Sequence, residues 1–208
     1  MGKENRVVYL DIDDTYIETE KLIKNVCKKV GYSIDERVNA YILRDNPIVR
    51  DVVKLIMSDY SKIPKRVGAE DCLAIISTEY TVKFLSSCYS EVEIYAKKKF
   101  AEEEGKEVIL CEYCSKTPDI IDLSNGIMID DRVDVLLGAN ASEKYNMKYN
   151  YDTQEEVQQF IKEGGTVCNN WYQLLDYLVE GEKDEEFRRY FYTRIQELGW
   201  NKRLQGCK

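Results

Sequence analysis

Apolar residues fall along the chain in two patterns, short continuous runs and longer segments with helical spacing. Five runs are short and rich in aliphatic or β-branched residues, as strands are. They cover residues 7–12, 72–77, 108–113, 126–130 and 166–169. Because these runs are mostly uniformly apolar rather than alternating, they are typical of strands buried on both faces of a parallel sheet. The pattern predicts an α/β fold, a Rossmann-like parallel sheet with helices on both faces.

Helices are predicted between these strands from apolar residues spaced three and four positions apart. The helix after the second run has a charged face formed by residues 97–99 and 102–104. Its apolar face consists of Leu85, Cys88, Tyr89, Val92, Tyr95, Ala96 and Phe100. Segments 154–162 and 171–179 supply two further helices. A helix near the C-terminus is indicated by Phe187, Tyr190, Phe191, Ile195 and Leu198.

The segment 16–71 separates the first two runs and is much longer than one crossover connection needs. It contains two apolar stripes of helical spacing, the first from Leu22 to Val30 and the second from Ile48 to Tyr60. Asn46-Pro47 is suited to begin the second helix. We therefore expect a core domain of residues 1–15 and 72–208, with residues 16–71 inserted after the first strand as a small helical cap. Such a cap would cover the carboxyl ends of the strands, where open α/β sheets bind ligands.

Composition limits the class of function. The chain has 208 residues, an apolar fraction of 44% and a net charge of −8, which suits a globular protein and argues against binding to duplex nucleic acid. No apolar run reaches membrane-spanning length and no signal peptide is evident, so a cytoplasmic protein that binds no membrane is expected. Its seven scattered cysteines are typical of reduced thiols. Histidine is absent, which excludes Ser-His-Asp and Cys-His catalysis and zinc sites that use histidine.

Three aspartates, Asp11, Asp13 and Asp14, end the first run, and Thr15 follows them. On a strand, residues two apart point to the same side, so Asp11 and Asp13 can face one site. An acidic cluster of this kind also forms turns and caps helices without any further role. Both interpretations are open from this motif alone.

Polar residues also stand at the ends of the other predicted strands: Ser77 and Thr78 after the second, Lys116 after the third, and Asp130 and Asp131 after the fourth. Ser77 or Thr78 could equally cap a following helix, and a lysine such as Lys116 is most often solvated. The carboxyl ends of parallel strands lie at one edge of a sheet, however. All of these side chains are therefore expected to converge on one site.

The arrangement resembles the haloacid dehalogenase superfamily, in the form that its phosphatases take. The first motif of that superfamily, Asp-x-Asp-x-Thr, matches residues 11–15, and the second, a serine or threonine ending an apolar strand, matches Ser77. Lys116 is best placed for the third motif, a lysine, and Asp130-Asp131 matches the fourth, an acidic pair closing a strand. The resemblance spans residues 7–134. The helical insertion, the overall size and the spacing of the last two motifs look most like the 5'(3')-deoxyribonucleotidase group.

The resemblance implies a chemistry as well as a fold. It implies that Asp11 attacks phosphorus and forms an aspartyl-phosphate, while Asp13 protonates the leaving oxygen and then activates water. The residues implied to bind Mg²⁺ are Asp11, Asp13 through its backbone carbonyl, Asp130 and Asp131. Those implied to hold phosphoryl oxygens are Thr15, Ser77, Thr78 and Lys116. Which acid contacts the metal directly is open, because Asp134 also has a suitable spacing.

The expected function is a magnesium-dependent phosphomonoester hydrolase that acts on a small phosphorylated substrate, a 5'-nucleotide or deoxynucleotide. Tyr41, Arg44 and Arg50 in the insertion are the candidates for contacting the rest of the substrate. The alternatives are a polynucleotide 3'-phosphatase, a sugar-phosphate phosphatase and a non-catalytic binding protein with the same fold. Dehalogenases of the superfamily lack the second aspartate and need no metal, so Asp13 favours a phosphatase or a phosphomutase.

Overall fold

The computed structural model describes residues 6–112, 116–148 and 151–181, together with Glu185, Arg189, Tyr192 and Thr193. Its strands are β1 (Val7–Leu10), β2 (Thr81–Cys88), β3 (Glu107–Glu112), β4 (Ile127–Asp130), β5 (Glu143–Met147) and β6 (Thr166–Cys168). They form one sheet in the order β3-β2-β1-β4-β5-β6, and every pair of neighbours is parallel. The predicted parallel α/β fold is confirmed.

The α-helices are α1 (Thr19–Lys29), α2 (Pro47–Ile56), α3 (Ala69–Glu79), α4 (Glu91–Glu103), α5 (Val133–Gly138), α6 (Gln154–Lys162) and α7 (Trp171–Gly181). Two short 3-10 helices, Ala40–Leu43 and Tyr60–Lys62, flank α2. The predicted start of α2 is confirmed, because the Asn46 side chain accepts hydrogen bonds from the amides of Ile48 and Val49, with Pro47 in the first turn. Within the part of the chain described here, no helix is long and apolar enough to cross a membrane.

Apolar side chains cover both faces of the sheet, because successive residues of a strand point to opposite sides. Val8 and Leu10 of β1 belong to one buried cluster, which also contains Ile76 of α3, Phe100 of α4 and Leu174 of α7. Side chains on the other face of the sheet pack into a second cluster. In it, Met128 of β4 lies with Leu136 of α5 and Phe160 of α6. The predicted helices on both faces are therefore confirmed.

The position of β1 in the middle of the sheet locates the candidate site. From β1 the chain builds β2 and β3 on one side and then crosses over to build β4, β5 and β6 on the other. A crevice forms at the carboxyl ends of the strands where the order reverses, which in open parallel sheets is the usual ligand site. The amide of Asp11 donates to the carbonyl of Ile129 at 2.9 Å, so Asp11 and Asp130 leave adjacent strands side by side.

The prediction of the second strand was wrong. Residues 72–77 lie in α3, and the second strand follows at once as β2, which contains Leu85 and Cys88 that were assigned to a helix. The four residues Cys72, Leu73, Ile75 and Ile76 of α3 are all buried. A helix covered on more than one side has no polar stripe, so its apolar run cannot be distinguished from a buried strand by periodicity.

The strand β5 was not predicted. Its sequence, Glu-Lys-Tyr-Asn-Met, contains three polar residues, yet Tyr145, Asn146 and Met147 are buried. The Asn146 side chain is compatible with burial because its Nδ2 donates to the carbonyl of Asp131 at 2.7 Å. The predicted C-terminal helix, from Phe187 to Leu198, lies outside the described residues.

The segment between β1 and β2 is helical, as predicted for residues 16–71, and α1 packs against α2. The expected boundary at residue 72 falls inside α3, whose Ala69 and Cys72 are fully buried. Apolar residues of α1 and α2, such as Ile23 and Val49, belong to the same buried cluster as the sheet. The division into a core and a cap stays a prediction.

Candidate active site

A cavity of about 470 Å³ opens at the carboxyl ends of β1, β2 and β4. Its volume is in the range of small-molecule sites. The sheet side of its wall includes Asp11, Asp13, Ser86, Ser87, Lys116, Asp130 and Asp131. The side formed by the segment between β1 and β2 includes Asn39, Tyr41, Ile42, Arg44 and Met57. The cavity therefore lies at the carboxyl ends of the strands, the edge of the sheet at which the sequence predicts that the polar side chains converge.

Three carboxylates of this wall lie close together. Ligand oxygens of Asp11, Asp130 and Asp131 all lie within 4.8 Å of one another, and all three side chains are buried. The Lys116 Nζ lies between two of them, 2.6 Å from Asp11 Oδ1 and 2.7 Å from Asp130 Oδ2. The predicted convergence of Lys116 with the ends of β1 and β4 is thus present in the structure.

The charge of this cluster is only partly compensated. Burial raises the pKa of Asp11 to about 6, although the Lys116 ammonium opposes the change. Burial, with Asp130 and Asp11 nearby, holds the pKa of Asp131 well above its usual range. When all are ionised, three carboxylates and one ammonium leave a net charge of −2. A hard divalent cation such as Mg²⁺ fits this all-oxygen donor set and this charge.

Thr15 is placed differently from the sequence expectation, and Asp134, whose role the sequence left open, lies outside the carboxylate cluster. Thr15 is fully buried outside the cavity wall, and its hydroxyl donates to Asp131 Oδ1 at 3.2 Å. It therefore orients Asp131 instead of facing a phosphate. Asp134 is half-exposed and bonded to Arg132, whose Nε lies 3.0 Å from Asp134 Oδ1. The three-carboxylate cluster is accordingly made by Asp130 and Asp131 with Asp11, without Asp134.

Asp13 is held from two sides. Its Oδ1 accepts a hydrogen bond from the Thr19 hydroxyl at 2.7 Å, and its Oδ2 lies 2.7 Å from the Lys97 Nζ. Lys97 is only 1% exposed and also donates to Ser86 Oγ at 3.0 Å and contacts Glu93 at 3.1 Å. Burial would lower the pKa of Lys97, but the Asp13 and Glu93 carboxylates raise it above its usual value. Lys97 therefore provides a second fixed cation beside the carboxylates.

The backbone turns sharply between Asp13 and Thr15. Asp14 has a φ of 55°, in the left-handed region that favours glycine and that aspartate tolerates better than most residues. Its carboxylate accepts from the Glu20 amide at 2.9 Å and from the Tyr41 hydroxyl at 3.2 Å. Burial raises the pKa of Asp14 to about 8. The turn thus links the end of β1 to the start of α1 and to the first 3-10 helix.

Ser77 and Thr78 do not reach the cavity, which corrects their assignment as phosphate-binding residues. Both lie in α3, where their hydroxyls donate to the carbonyls of Leu73 and Ile75 one turn earlier. Ser86 and Ser87, near the end of β2, line the cavity in their place. The assignment failed because the second strand was placed one element too early.

Of the three candidates in the insertion, Tyr41 and Arg44 line the cavity and Arg50 does not. Arg50 is exposed on α2 and forms an ion pair with Asp51 at 3.6 Å. Tyr41 is fixed by the hydrogen bond from its hydroxyl to Asp14 and lies in the short helix Ala40–Leu43, which Asn39 caps. The assignment of Arg50 to the site is therefore corrected.

Comparison with solved structures identifies the fold. A haloacid dehalogenase-like hydrolase from Streptococcus pneumoniae matches with a TM-score of 0.57 at 14% identity, over 83% of this chain and 98% of that one. A second such hydrolase, from Xanthomonas campestris, matches with a TM-score of 0.52 at 10% identity, over 85% and 96%. An L-2-haloacid dehalogenase matches with a TM-score of 0.50 at 8% identity, over 83% and 99%. The chain has the haloacid dehalogenase-like fold.

The likeness is one of fold. A scan against protein-family models and a search of curated protein sequences each found no match. With the haloacid dehalogenase-like fold established, the roles of individual residues depend on the geometry of this chain's own site.

Sequence reasoning missed two groups of residues at this site. Ser86 and Ser87 end the run 82–87, which a search for an apolar run ending in two serines could have found. Lys97 was assigned to a solvated face because it begins a run of three lysines. Its spacing of three from Phe100 and four from Glu93 places it on the buried face of α4. This helical spacing distinguishes Lys97 from Lys98, which lies off the buried stripe.

Proposed function

We propose that this protein is a magnesium-dependent phosphomonoester hydrolase that forms an aspartyl-phosphate at Asp11. The proposal depends on one observation, a buried cluster in which the carboxylates of Asp11, Asp130 and Asp131 lie together and the Lys116 ammonium contacts Asp11. This cluster lines a cavity that Asp13 also lines. Such a cluster combines a nucleophile, oxygen ligands for a cation and a group that can hold a phosphoryl oxygen.

The proposed reaction has two displacements at phosphorus. An Asp11 oxygen attacks phosphorus, the bond to the leaving oxygen breaks, and Asp13 gives that oxygen a proton. Asp13 then takes a proton from water, whose oxygen attacks phosphorus and breaks the bond to Asp11, releasing inorganic phosphate. In this proposal Lys116 and Ser86, which line the cavity, hold phosphoryl oxygens, and Lys97 and Thr19 hold Asp13 in position.

Magnesium would be bound by the carboxylates of Asp11, Asp130 and Asp131 with the Asp13 backbone carbonyl, and would supply positive charge for the phosphoryl oxygens. We expect a chelator to abolish activity and added Mg²⁺ to restore it, since Lys116 alone leaves the cluster with an excess of negative charge. The measurement is the hydrolysis of 4-nitrophenyl phosphate before and after dialysis against chelator. Full activity of protein shown by elemental analysis to be metal-free would overturn the metal assignment.

The serines at the end of β2 provide a second test. Ser86→Ala should reduce kcat/KM by about 10- to 100-fold, the effect of one hydrogen bond to a charged group. Ser77→Ala is the matched control and should change kcat/KM little, because the Ser77 hydroxyl is bonded inside α3 away from the cavity. Equal effects of the two substitutions on kcat/KM would show that Ser86 has no special place in the site.

For the substrate, we propose a 5'-nucleotide or deoxynucleotide, as in the deoxyribonucleotidase group that the sequence resembles. A cavity of about 470 Å³ is large enough for a nucleoside monophosphate. A screen with Mg²⁺ over nucleotides, sugar phosphates and 3'-phosphorylated oligonucleotides separates this proposal from the alternative phosphatases. A 2-haloacid belongs in the same screen, because one structural neighbour is a dehalogenase. No turnover of any compound would favour the non-catalytic binding protein.

We also propose that residues 16–71 act as a cap that selects the substrate while the sheet supplies the phosphoryl-transfer groups. The support is positional, since Tyr41 and Arg44 of this segment line the same cavity as Asp11 and Lys116.

We propose a cytoplasmic location for the protein. The five described cysteines, Cys27, Cys72, Cys88, Cys111 and Cys168, are buried free thiols, as expected in a reducing compartment.

A further inference from the structure

Arg44 is held between two aromatic rings on the cavity wall. Its guanidinium carbon lies 5.2 Å from the centre of the Tyr41 ring and 4.9 Å from the centre of the Tyr89 ring. Tyr41 belongs to the segment between β1 and β2, whereas Tyr89 follows β2. The stacked guanidinium therefore bridges the two sides of the cavity, and cation–π attraction favours this position.

Arg44 differs from the other cations of the cavity. Lys116 contacts Asp11 and Asp130, Lys97 contacts Asp13 and Glu93, and Arg132 contacts Asp134. Among the described residues that line this cavity, Arg44 alone of the cations has no carboxylate partner. Its Nε is buried and has no hydrogen-bond partner in the described part of the chain. Because Nε is closed to solvent, a ligand in the cavity would meet the terminal nitrogens of this guanidinium.

The chemistry of the missing acceptor follows from the geometry. Because aromatic rings contact the guanidinium, its in-plane N–H groups are the ones available to a ligand, and they match the two oxygens of a carboxylate or phosphate. The rest of the wall disfavours anions, since nine carboxyl side chains of the described residues line it. A second anionic group in the cavity would thus be stable only beside Arg44.

We propose that Arg44 binds a second anionic group of the substrate, a carboxylate or a phosphate, distinct from the phosphoryl group that Asp11 attacks. The proposal rests on the proposed phosphatase function and narrows its substrate class to phosphomonoesters with a second anion. Among the 5'-nucleotides proposed above, the nucleoside 3',5'-bisphosphates should therefore be preferred to the simple nucleoside monophosphates.

The kinetic test compares substrates that differ only in the second anion. One arm is 3-phosphoglycerate against glycerol 3-phosphate, and the other is adenosine 3',5'-bisphosphate against adenosine 5'-monophosphate, so the arms distinguish a carboxylate from a phosphate. In at least one arm the doubly anionic substrate should have a KM about 10- to 100-fold lower. Arg44→Met should remove this preference, and Arg44→Lys should keep part of it because lysine retains the charge without the planar fork. Arg50→Met, which removes an exposed arginine outside the cavity, should keep the wild-type preference.

A binding measurement separates this proposal from the proposed function. Titration calorimetry with Asp11→Asn and Mg²⁺ should show that 3-phosphonopropionate binds more tightly than propylphosphonate, and that adding Arg44→Met removes the difference. If no phosphomonoester is hydrolysed but this difference is seen, the phosphatase function is wrong and the anion site stands. If hydrolysis depends on Asp11 but correctly folded Arg44→Met and Arg44→Lys keep the wild-type preference in both arms, the anion site is wrong and the function stands.

Discussion

Asp11→Asn is expected to lower kcat by at least about 10⁴-fold, because an amide cannot act as the nucleophile that displaces an alkoxide from phosphorus. The fold should persist, since asparagine keeps the shape of the side chain and an oxygen that can accept from Lys116. The measurement is the rate of phosphate release in Mg²⁺, with the melting temperature recorded for both proteins. Mass spectrometry of the variant must exclude deamidation to aspartate.

The matched control for Asp11→Asn is Asp51→Asn, which changes an exposed carboxylate on α2 that pairs with Arg50. This control should retain wild-type turnover, because surface ion pairs have little effect away from the site. Loss of a catalytic nucleophile lowers kcat by far more than about 100-fold. If Asp11→Asn kept more than about one per cent of wild-type kcat, the covalent mechanism would therefore be wrong.

Lys116→Met is expected to destabilise the protein by about 3–5 kcal/mol in the absence of divalent ions, because it leaves buried carboxylates without their cation. Lys116 is 3% exposed and contacts both Asp11 and Asp130. Urea unfolding in chelator measures the loss. Added Mg²⁺ should recover part of it, since a ligand that binds the folded state stabilises that state.

The effect of Lys116→Met should also depend on pH. The folded-state pKa of Asp11 is already raised to about 6 by burial, with Lys116 opposing the change, so removal of Lys116 should raise that pKa further. When the pKa of a group is higher in the folded than in the unfolded state, the free energy of unfolding of the protein falls as pH rises between the two pKa values. The difference in stability between variant and wild type should therefore be small near pH 5 and grow through pH 6 to 8.

Lys99→Met is the matched control, because Lys99 lies on the surface of α4 and forms an exposed ion pair with Glu103 at 3.7 Å. Such a pair contributes about 0.5 kcal/mol or less. A Lys116→Met protein as stable in chelator as Lys99→Met, at every pH, would show that the carboxylate cluster is not charged in the folded protein.

Elements with local signals were predictable from the sequence. The strands β1 and β4 are short apolar runs that end in aspartates, and α2 begins at an Asn-Pro pair whose capping role needs no partner elsewhere in the chain. Parallel pairing then brings the ends of these strands to one edge of the sheet. For this reason the sequence alone predicts that Asp11, Asp130 and Asp131 lie together.

The tertiary structure decided what depends on contacts between distant residues. Burial on several sides removed the helical period of α3, so only its packing distinguishes it from a strand and moves the serines of the site from Ser77 to Ser86. Arg44 and Arg50 both lie in the segment between β1 and β2, yet of the two only Arg44 lines the cavity. Lys97 is buried beside Asp13 because the turn of α4 points it inward, whereas its neighbours Lys98 and Lys99 are exposed. The type of a residue determines the chemistry that it can offer to a site. Burial depends on the packing of the whole chain, and it determines which of several lysines, arginines or serines lie at the site.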